Sequence, residues 1–411
     1  MSKKLDRRTV LAGTAAAAAT VALPRVAIAQ GAPLRLGLMN VKTGPLAEGG
    51  IQMEQGLTAF LKDRNMTLAG RKVELFVADT GGNPAGAKNK AQELVERDHV
   101  DVVTGPLAAF ELLAISDYMA AHKIPVLSLA AAEDMTQRKP NPYFLRASAT
   151  SSQPLKPLAD YAAKELKYKR IVCLAEDFAF GYEQMGGFQQ VFEDEGGRVL
   201  KKLYPPLGTA DLTPYIAQIG ECDAVCQGFA SATPVKFMKQ YSDAGLKFPV
   251  LGGETAGDDA LLKSFGDEAI GMITSAPYTV DLKNAPNEHF LAVMKKEYNV
   301  PVGQYAALLW LNGQIIEEGL KKTGGNAEDK DAFIKALRAV DLKETLRGPV
   351  RFDHFGNIIG NFFIRRMEKK DGALVNTTIK TYTDIGQFWP YDEKKVLSQP
   401  VYSRDFPPLK A

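Results

Sequence analysis

From Leu34 onward, short apolar runs alternate with segments whose apolar residues recur at helical spacing, and that alternation restricts the chain to an α/β architecture. Leu34 to Met39 precedes a helical face of Met53, Leu57, Phe60 and Leu61; after the strand Val73 to Ala78 comes a second face of Ala87, Ala91, Leu94 and Val95. Val100 to Val103, a helix through Leu112, Ile115 and Met119, and Ile124 to Leu129 complete a β-α-β-α-β series. Strands joined through helices run parallel, with right-handed crossovers.

The rhythm pauses over Pro140 to Ser152 and then restarts. Arg170 to Ala175, Val199 to Tyr204, Ala224 to Phe229 and Phe248 to Leu251 alternate with helical segments around 153–167, 181–195, 211–219 and 233–244, so a second sheet is expected. After Ile270 to Ala276, three helical segments near 287–297, 302–320 and 329–340 follow one another with no strand between them. Val350 to Asp353, Asn357 to Arg366 and Leu374 to Tyr382 then read as antiparallel strands, with Asp371-Gly372 as a hairpin turn. A length of 411 residues suits two lobes with cores of their own.

The first residues have a separate purpose. Lys3, Lys4, Arg7 and Arg8 form a basic start, Leu11 to Leu23 an apolar stretch too short to span a bilayer, and Ala27-Ile28-Ala29 a cleavage site before Gln30. Residues 1–29 therefore read as a signal peptide, and the rest as an exported, periplasmic protein. Arg7-Arg8 with Thr9-Val10-Leu11 resembles a twin-arginine signal; an ordinary secretory signal carrying two arginines is the alternative. No later segment reaches the roughly 18 apolar residues of a membrane helix. Losing 1–29 removes five basic residues and one acidic one, so a formal charge of +2 becomes −2, which gives no reason to expect nucleic acid.

Reactive constellations are missing from the sequence. His99, His122, His289 and His354 are isolated, without metal-ligand spacing. Cys173 and Cys226 lie in apolar runs, where a thiol is a small hydrophobe; Cys222 is too far from Cys226 along an extended strand to bridge it, so a Cys222 disulfide requires a turn near Asp223. There is no G-x-S-x-G elbow and no P-loop, and Val41-Lys42-Thr43-Gly44-Pro45 follows the first strand in place of a dinucleotide fingerprint. No catalytic group, metal or cofactor is expected. Three strands instead run out into small, inert residues: Thr43-Gly44-Pro45, Thr104-Gly105-Pro106 and Ala130-Ala131-Ala132. Beyond the carboxyl ends of parallel strands, such loops suit a binding floor.

The order Leu34-Arg35-Leu36-Gly37-Leu38, Thr43-Gly44-Pro45-Leu46-Ala47, Asn83-Pro84, Gly105-Pro106, Asn141-Pro142-Tyr143-Phe144-Leu145-Arg146, Glu176-Asp177-Phe178-Ala179-Phe180-Gly181, Leu251-Gly252-Gly253-Glu254 and Gly348-Pro349-Val350-Arg351-Phe352-Asp353 closely resembles the periplasmic solute-binding proteins of ABC transporters, of the leucine/isoleucine/valine-binding type. The resemblance covers nearly the whole chain after the signal peptide. It implies two Rossmann-like lobes with parallel central sheets, the type I periplasmic-binding-protein fold, joined by three hinge crossings near Ser148 to Ser152, Ala276 to Thr279 and Arg347 to Val350. The lobes are then residues 31–149 with 278–348, and 150–277 with 349–411. It also implies a monomer that holds a small-molecule ligand between its lobes and hands it to a permease.

Carried over residue by residue, the family's ligand contacts fall on the loop Leu107-Ala108-Ala109-Phe110 and on Ala130 and Ala132 in the first lobe, and on Phe178, Phe180, Ala230, Ser231 and Glu254 in the second, with Tyr305 on a returning helix. Amino-acid-binding members carry hydroxyl side chains where this chain has Ala108, Ala109, Ala131 and Ala132. Without those donors, each worth about 0.5–1.5 kcal/mol or more to a charged acceptor, a zwitterion loses part of its anchor. The surrounding wall of Phe110, Phe178, Phe180, Tyr182, Phe229, Tyr278 and Tyr305 suits an aromatic or apolar carboxylate or amide. A branched-chain amino acid, urea or an amide is the alternative for the same fold. Glu254 is open to an amine, a ligand hydroxyl or hinge backbone; Lys42 or Arg146 is open to a ligand carboxylate, Arg146 also to organising the crossing near Ser148. Two rival functions remain, a binding protein that serves a sensor and a twin-arginine-exported cofactor enzyme.

Overall fold

The computed structural model describes residues 32–410; the expected signal peptide, 1–29, lies outside the described residues. Among the described residues the strands form two sheets. The first contains β1 (Leu34–Asn40), β2 (Thr67–Leu68), β3 (Arg71–Asp79), β4 (Val102–Thr104), β5 (Val126–Leu127) and β6 (Phe144–Leu145) in the order β2-β3-β1-β4-β5-β6. It is parallel except where β2 meets β3. The second contains β7 (Arg170–Ala175), β8 (Arg198–Leu203), β9 (Ala224–Gly228), β10 (Val250–Gly252), β11 (Ile273–Ala276), β12 (Val350–Phe352), β13 (Ile358–Lys370) and β14 (Ala373–Ile385). Its order is β12-β13-β11-β10-β9-β7-β8, with β14 on β13.

Within the parallel part of each sheet the strand order reverses once, between β1 and β4 in the first and between β7 and β9 in the second. Crevices open beyond the carboxyl ends of strands at such reversals, so the loops after these four strands are where a ligand would lie.

The α-helices among the described residues are α1 (Ala47–Asp63), α2 (Pro84–Gln92), α3 (Ala109–Ala121), α4 (Leu155–Lys164), α5 (Ala179–Asp194), α6 (Thr213–Ile216), α7 (Thr233–Asp243), α8 (Ala285–Glu297), α9 (Gln304–Lys322), α10 (Lys330–Arg338) and α11 (Glu393–Leu397). The strandless series α8 to α10 returns to the first sheet: Phe290, Leu309, Trp310, Ile315, Phe333 and Leu337 share one core with Leu36, Phe60 and Leu145. Trp310 meets the rings of Phe60 and Phe290 edge-on, at centroid distances of 5.3 and 5.2 Å. α1 and α9 approach so closely that a Cβ on Gly56 would stand 2.1 Å from the Ala306 carbonyl oxygen.

Some elements differ from the sequence reading. The run Ile124 to Leu129 narrows to β5: the Ser128 N–H still donates to the Leu145 carbonyl at 3.3 Å, but its Oγ donates to the Pro106 carbonyl at 2.6 Å and accepts from the Ala130 N–H at 2.9 Å, which turns the chain out of the sheet. The helix expected at 211–219 shrinks to the four residues of α6, with Pro214 in its first turn. The expected tail strands lengthen into a long hairpin, turned at Asp371 (φ 51°) and Gly372 (φ 81°). All three cysteines are free and buried, which answers the open question about Cys222.

Three connections carry the chain between the sheets, over 146–154, 277–284 and 339–349, and a fully buried arginine serves each. Arg146 donates to the Ala130 carbonyl at 3.1 Å, to Thr136 Oγ1 at 2.8 Å and to Asn357 Oδ1 at 2.9 Å. Arg347 joins the first and third connections, donating to the carbonyls of Ala147 (3.1 Å), Ser148 (2.8 Å) and Asn361 (3.0 Å). Arg365 pairs with Asp259 at 2.9 Å and donates to the Tyr278 carbonyl at 3.3 Å in the second. Removing Arg347 strands three carbonyls without donors. Arg347→Met is expected to lower unfolding stability by about 3 kcal/mol, read from urea denaturation, and a change under about 0.5 kcal/mol contradicts this role.

Candidate ligand-binding site

The loops at the two strand reversals face each other and enclose a space of about 410 Å³ that includes its mouth on solvent. On one side Leu46 follows β1, Leu107, Ala108 and Ala109 follow β4, and Leu129 and Ala131 follow β5. Across from them Phe178 and Phe180 follow β7, Ala230 follows β9, and Glu254 and Thr255 follow β10; Tyr305 enters at the start of α9.

Local sequence explains how each wall is shaped. Gly105 has φ +84°, and a Cβ there would stand 2.1 Å from the Met39 carbonyl oxygen, so only glycine lets β4 turn so close to β1. The turn delivers Ala108 as the N-cap of α3. Glu111 Oε2 accepts from the Ala108 N–H at 3.2 Å, but alanine has no oxygen to return the bond. The first-turn amides of α3 thus carry no side-chain cap, and Ala108 and Ala109 at the start of the helix line the space. α5 starts in the same way on the other side, with Phe178 as an N-cap lacking a side-chain hydrogen bond.

The aromatic wall holds itself in position. Phe178 stacks on Phe180 with centroids 6.0 Å apart, and Phe110 meets Phe178 edge-on at 5.6 Å. Behind them Glu176, at the end of β7, accepts from the Ala230 N–H at 3.0 Å and locks two second-sheet loops together. Thr255 Oγ1 donates to the Phe229 carbonyl at 2.6 Å. Tyr305 lies over Gly49, where a Cβ would stand 3.2 Å from its Cζ.

Glu254 is the site's one lining carboxyl. It is 7 % exposed, and its Oε2 has no hydrogen-bond partner among the described residues. Burial pushes its pKa up to about 8, against the pull of the Arg347, Arg146 and Arg365 guanidinium groups. Burial likewise takes Glu176 up to about 8, and lowers Arg347 to about 9. Near neutrality Glu254 therefore holds a proton, and its carboxyl can donate as well as accept.

Ala108, Ala109, Phe178, Phe180, Ala230, Glu254 and Tyr305, expected from the sequence, come together around this space. Ala130 and Ala132 do not. Their side chains pack into the core with Met39, Val103 and Met135, while Ala131 between them lines the space, as side chains alternate along an extended segment. Phe110 stands behind Phe178 outside the lining. Ser231 is buried beside it at φ 52° without lining it.

Of the expected aromatic wall, Phe229 packs on Phe237 in the second core and Tyr278 on Phe290 in the first, with its hydroxyl on Asn287 at 2.8 Å. Tyr182 lies at the edge with its hydroxyl on Asp177. Neither cation offered for a ligand carboxylate reaches the space: Lys42 pairs with Glu54 at 2.8 Å, and Arg146 is spent on the crossing. Leu46, Leu129 and Thr255 line the space without having been singled out. Leu46 lies in the Thr43-Gly44-Pro45-Leu46-Ala47 signature, whereas nothing in the sequence marks Thr255. Among the described residues no group of three His, Cys, Asp or Glu side chains is arranged for a metal ion, and no helix is long and apolar enough to cross a membrane.

Known proteins share both sequence and architecture with this chain. The Leu/Ile/Val-binding protein homolog 6 of Brucella suis biovar 1 (strain 1330) is 28% identical over 373 residues, which span 86% of this chain and 92% of that protein. The crystal structure of a solute binding protein of an ABC transporter from Rhodopseudomonas palustris BisB5, in complex with 3,4-dihydroxy benzoic acid, superposes with a TM-score of 0.82 at 30% identity, covering 86% of this chain and 98% of the other. A second R. palustris solute binding protein, in complex with 4-hydroxybenzoate, gives 0.82 at 27% identity over 87% and 98%. The family model described as "Periplasmic binding protein" matches residues 33–373. With that match over most of its length and two α/β sheets meeting at a shared cleft, the chain belongs to the periplasmic binding protein family, type I.

Proposed function

We propose that this protein captures a small aromatic carboxylate between two lobes, residues 31–149 with 278–348 and 150–277 with 349–411, and delivers it to an ABC permease. It does so in the periplasm, as a monomer, after removal of the signal peptide. The observation that carries the reading is the lining itself: alanines where hydroxyl side chains would grip an amino acid, facing Phe178, Phe180 and Tyr305. The aryl ring lies against those three rings. Its carboxylate takes the uncapped amides of α3, and the protonated Glu254 donates to a polar atom at the other end of the ligand or to the carboxylate itself. The two R. palustris relatives, in complex with 3,4-dihydroxy benzoic acid and 4-hydroxybenzoate, support the same ligand class. Closure follows because a ligand touching both lobes binds the closed form more tightly.

A branched-chain amino acid is the second reading, favoured by one observation: the unpartnered Glu254 would suit an ammonium group. A thermal-shift panel of benzoate, 4-hydroxybenzoate, leucine, isoleucine and urea separates the two, since a ligand at 100 times its Kd adds about 2.7 kcal/mol. The aromatic acids are expected to raise the melting temperature and leucine to leave it unchanged. The reverse order overturns the proposal.

A further inference from the structure

The loop that carries Glu254 also carries Asp258, four residues on, and Asp258 reaches out of the second sheet's territory into helices of the first. It is 1 % exposed. Its Oδ1 accepts from the Gln304 N–H at 3.0 Å, the first residue of α9, and its Oδ2 accepts from Gln52 Nε2 on α1 at 3.2 Å. α9 has no cap from its own N-cap residue, Gly303, whose backbone is extended (φ −117°, ψ −176°) and would accept any residue. A side chain there would push aside the two groups that meet the helix start. A Cβ on Gly303 would stand 2.1 Å from Asp258 Oδ1 and 2.4 Å from Gln52 Oε1. The helix that delivers Tyr305 to the cleft, one residue after Gln304, is thus capped from the opposite wall.

We propose that Asp258 is a positioning residue for ligand capture: its bond to the start of α9 forms as the two walls close and fixes Tyr305 over the ligand. Loop and helix belong to different sheets, so the contact contributes to the closed form, is absent from an open one, and keeps a share of the ligand-free protein closed. The inference rests on the proposed closure between two lobes and adds the residue that latches it. A carboxyl oxygen on the first amide of a helix is a capping contact, and its loss is expected to weaken binding roughly tenfold.

The test uses the mature chain with Asp258→Ala, Gly303→Ala, the double variant and Asp258→Asn. Benzoate affinity is measured by calorimetry, the radius of gyration of the ligand-free protein by small-angle scattering, and folding by thermal melting. Asp258→Ala and Gly303→Ala are each expected to weaken benzoate roughly tenfold and to enlarge the ligand-free radius. The double variant is expected to match Asp258→Ala alone, because the new methyl then has no carboxylate to meet and the Gln52 amide, released from Asp258 Oδ2, is free to turn away from it. Asp258→Asn keeps an oxygen for the Gln304 amide and is expected to restore most of the affinity. Additive effects in the double variant, or unchanged radii in both single variants, overturn the latch. If even the parent fails to bind benzoate, the ligand assignment falls, while the ligand-free radii and the double-variant comparison still decide the latch.

Discussion

Ala131→Phe is expected to weaken aromatic-acid binding by roughly 100-fold or more while leaving the melting temperature within a few degrees of the parent. Ala131 is 4 % exposed and clusters with Leu46, Ala108, Phe180 and Ala230 around the cleft, so an added ring occupies the ligand's place and not a filled core. The neighbouring substitution makes the contrast. Ala130 is fully buried among Met39, Val103 and Met135, and there is no space into which a ring can go. Ala130→Phe is expected to destabilise the fold by about 1–3 kcal/mol or more through overpacking. Calorimetric titration and melting of both variants check the pair. If Ala130→Phe loses binding at unchanged stability and Ala131→Phe unfolds, the parity of this loop is the reverse of that described.

The second large effect is on pH. Benzoate remains an anion through the neutral range, and next to an anion Glu254 must keep its proton. Its pKa in the empty site is about 8, set by burial and moderated by Arg347, Arg146 and Arg365. Binding an anion raises it further, so benzoate affinity is expected to be flat from pH 6 to 8 and then to fall by about tenfold per pH unit. An ammonium ligand has the opposite sign. It stabilises the carboxylate, releases the proton, and its affinity rises with pH until about 8. Arg347, lowered to about 9, Glu176, also near 8, and the buried Tyr305 hydroxyl are the other titratable groups close by. Glu254→Gln therefore assigns the effect: benzoate affinity in that variant is expected to lose its fall above pH 8. Calorimetry from pH 6 to 9.5 on both proteins reads it, and a fall that persists in Glu254→Gln moves the proton elsewhere.

Much of this architecture is legible in the sequence because strand and helix periods differ so plainly. The β-α-β alternation through Leu129 and the strandless stretch after Ala276 anticipate the first sheet and the helices α8 to α10 that return to it. Side-chain parity was not legible. Whether Ala130, Ala131 or Ala132 faces the cleft depends on where β5 stops and how the chain bends after it, and Ser128 decides that by hydrogen bonding to Pro106. Phe229 went astray for the same reason: it points away from its neighbour Ala230, into the second core. Thr255 and Asp258 were out of reach, since their roles arise from contacts between segments far apart in the chain. Arg146 and Arg347 show the converse. Arg146 ends the apolar run Tyr143-Phe144-Leu145, which implies a buried partner, whereas Arg347 sits among polar residues, and nothing local says that the partners of either are the backbone carbonyls of a crossing.

The central claim is that the cleft takes an aromatic acid and not an amino acid. Isothermal titration of the mature chain at pH 7 with 4-hydroxybenzoate and, separately, with leucine tests it most directly. One-to-one binding of 4-hydroxybenzoate at micromolar Kd or tighter, with no heat from leucine, is the predicted result; saturable binding of leucine with none of 4-hydroxybenzoate would contradict it.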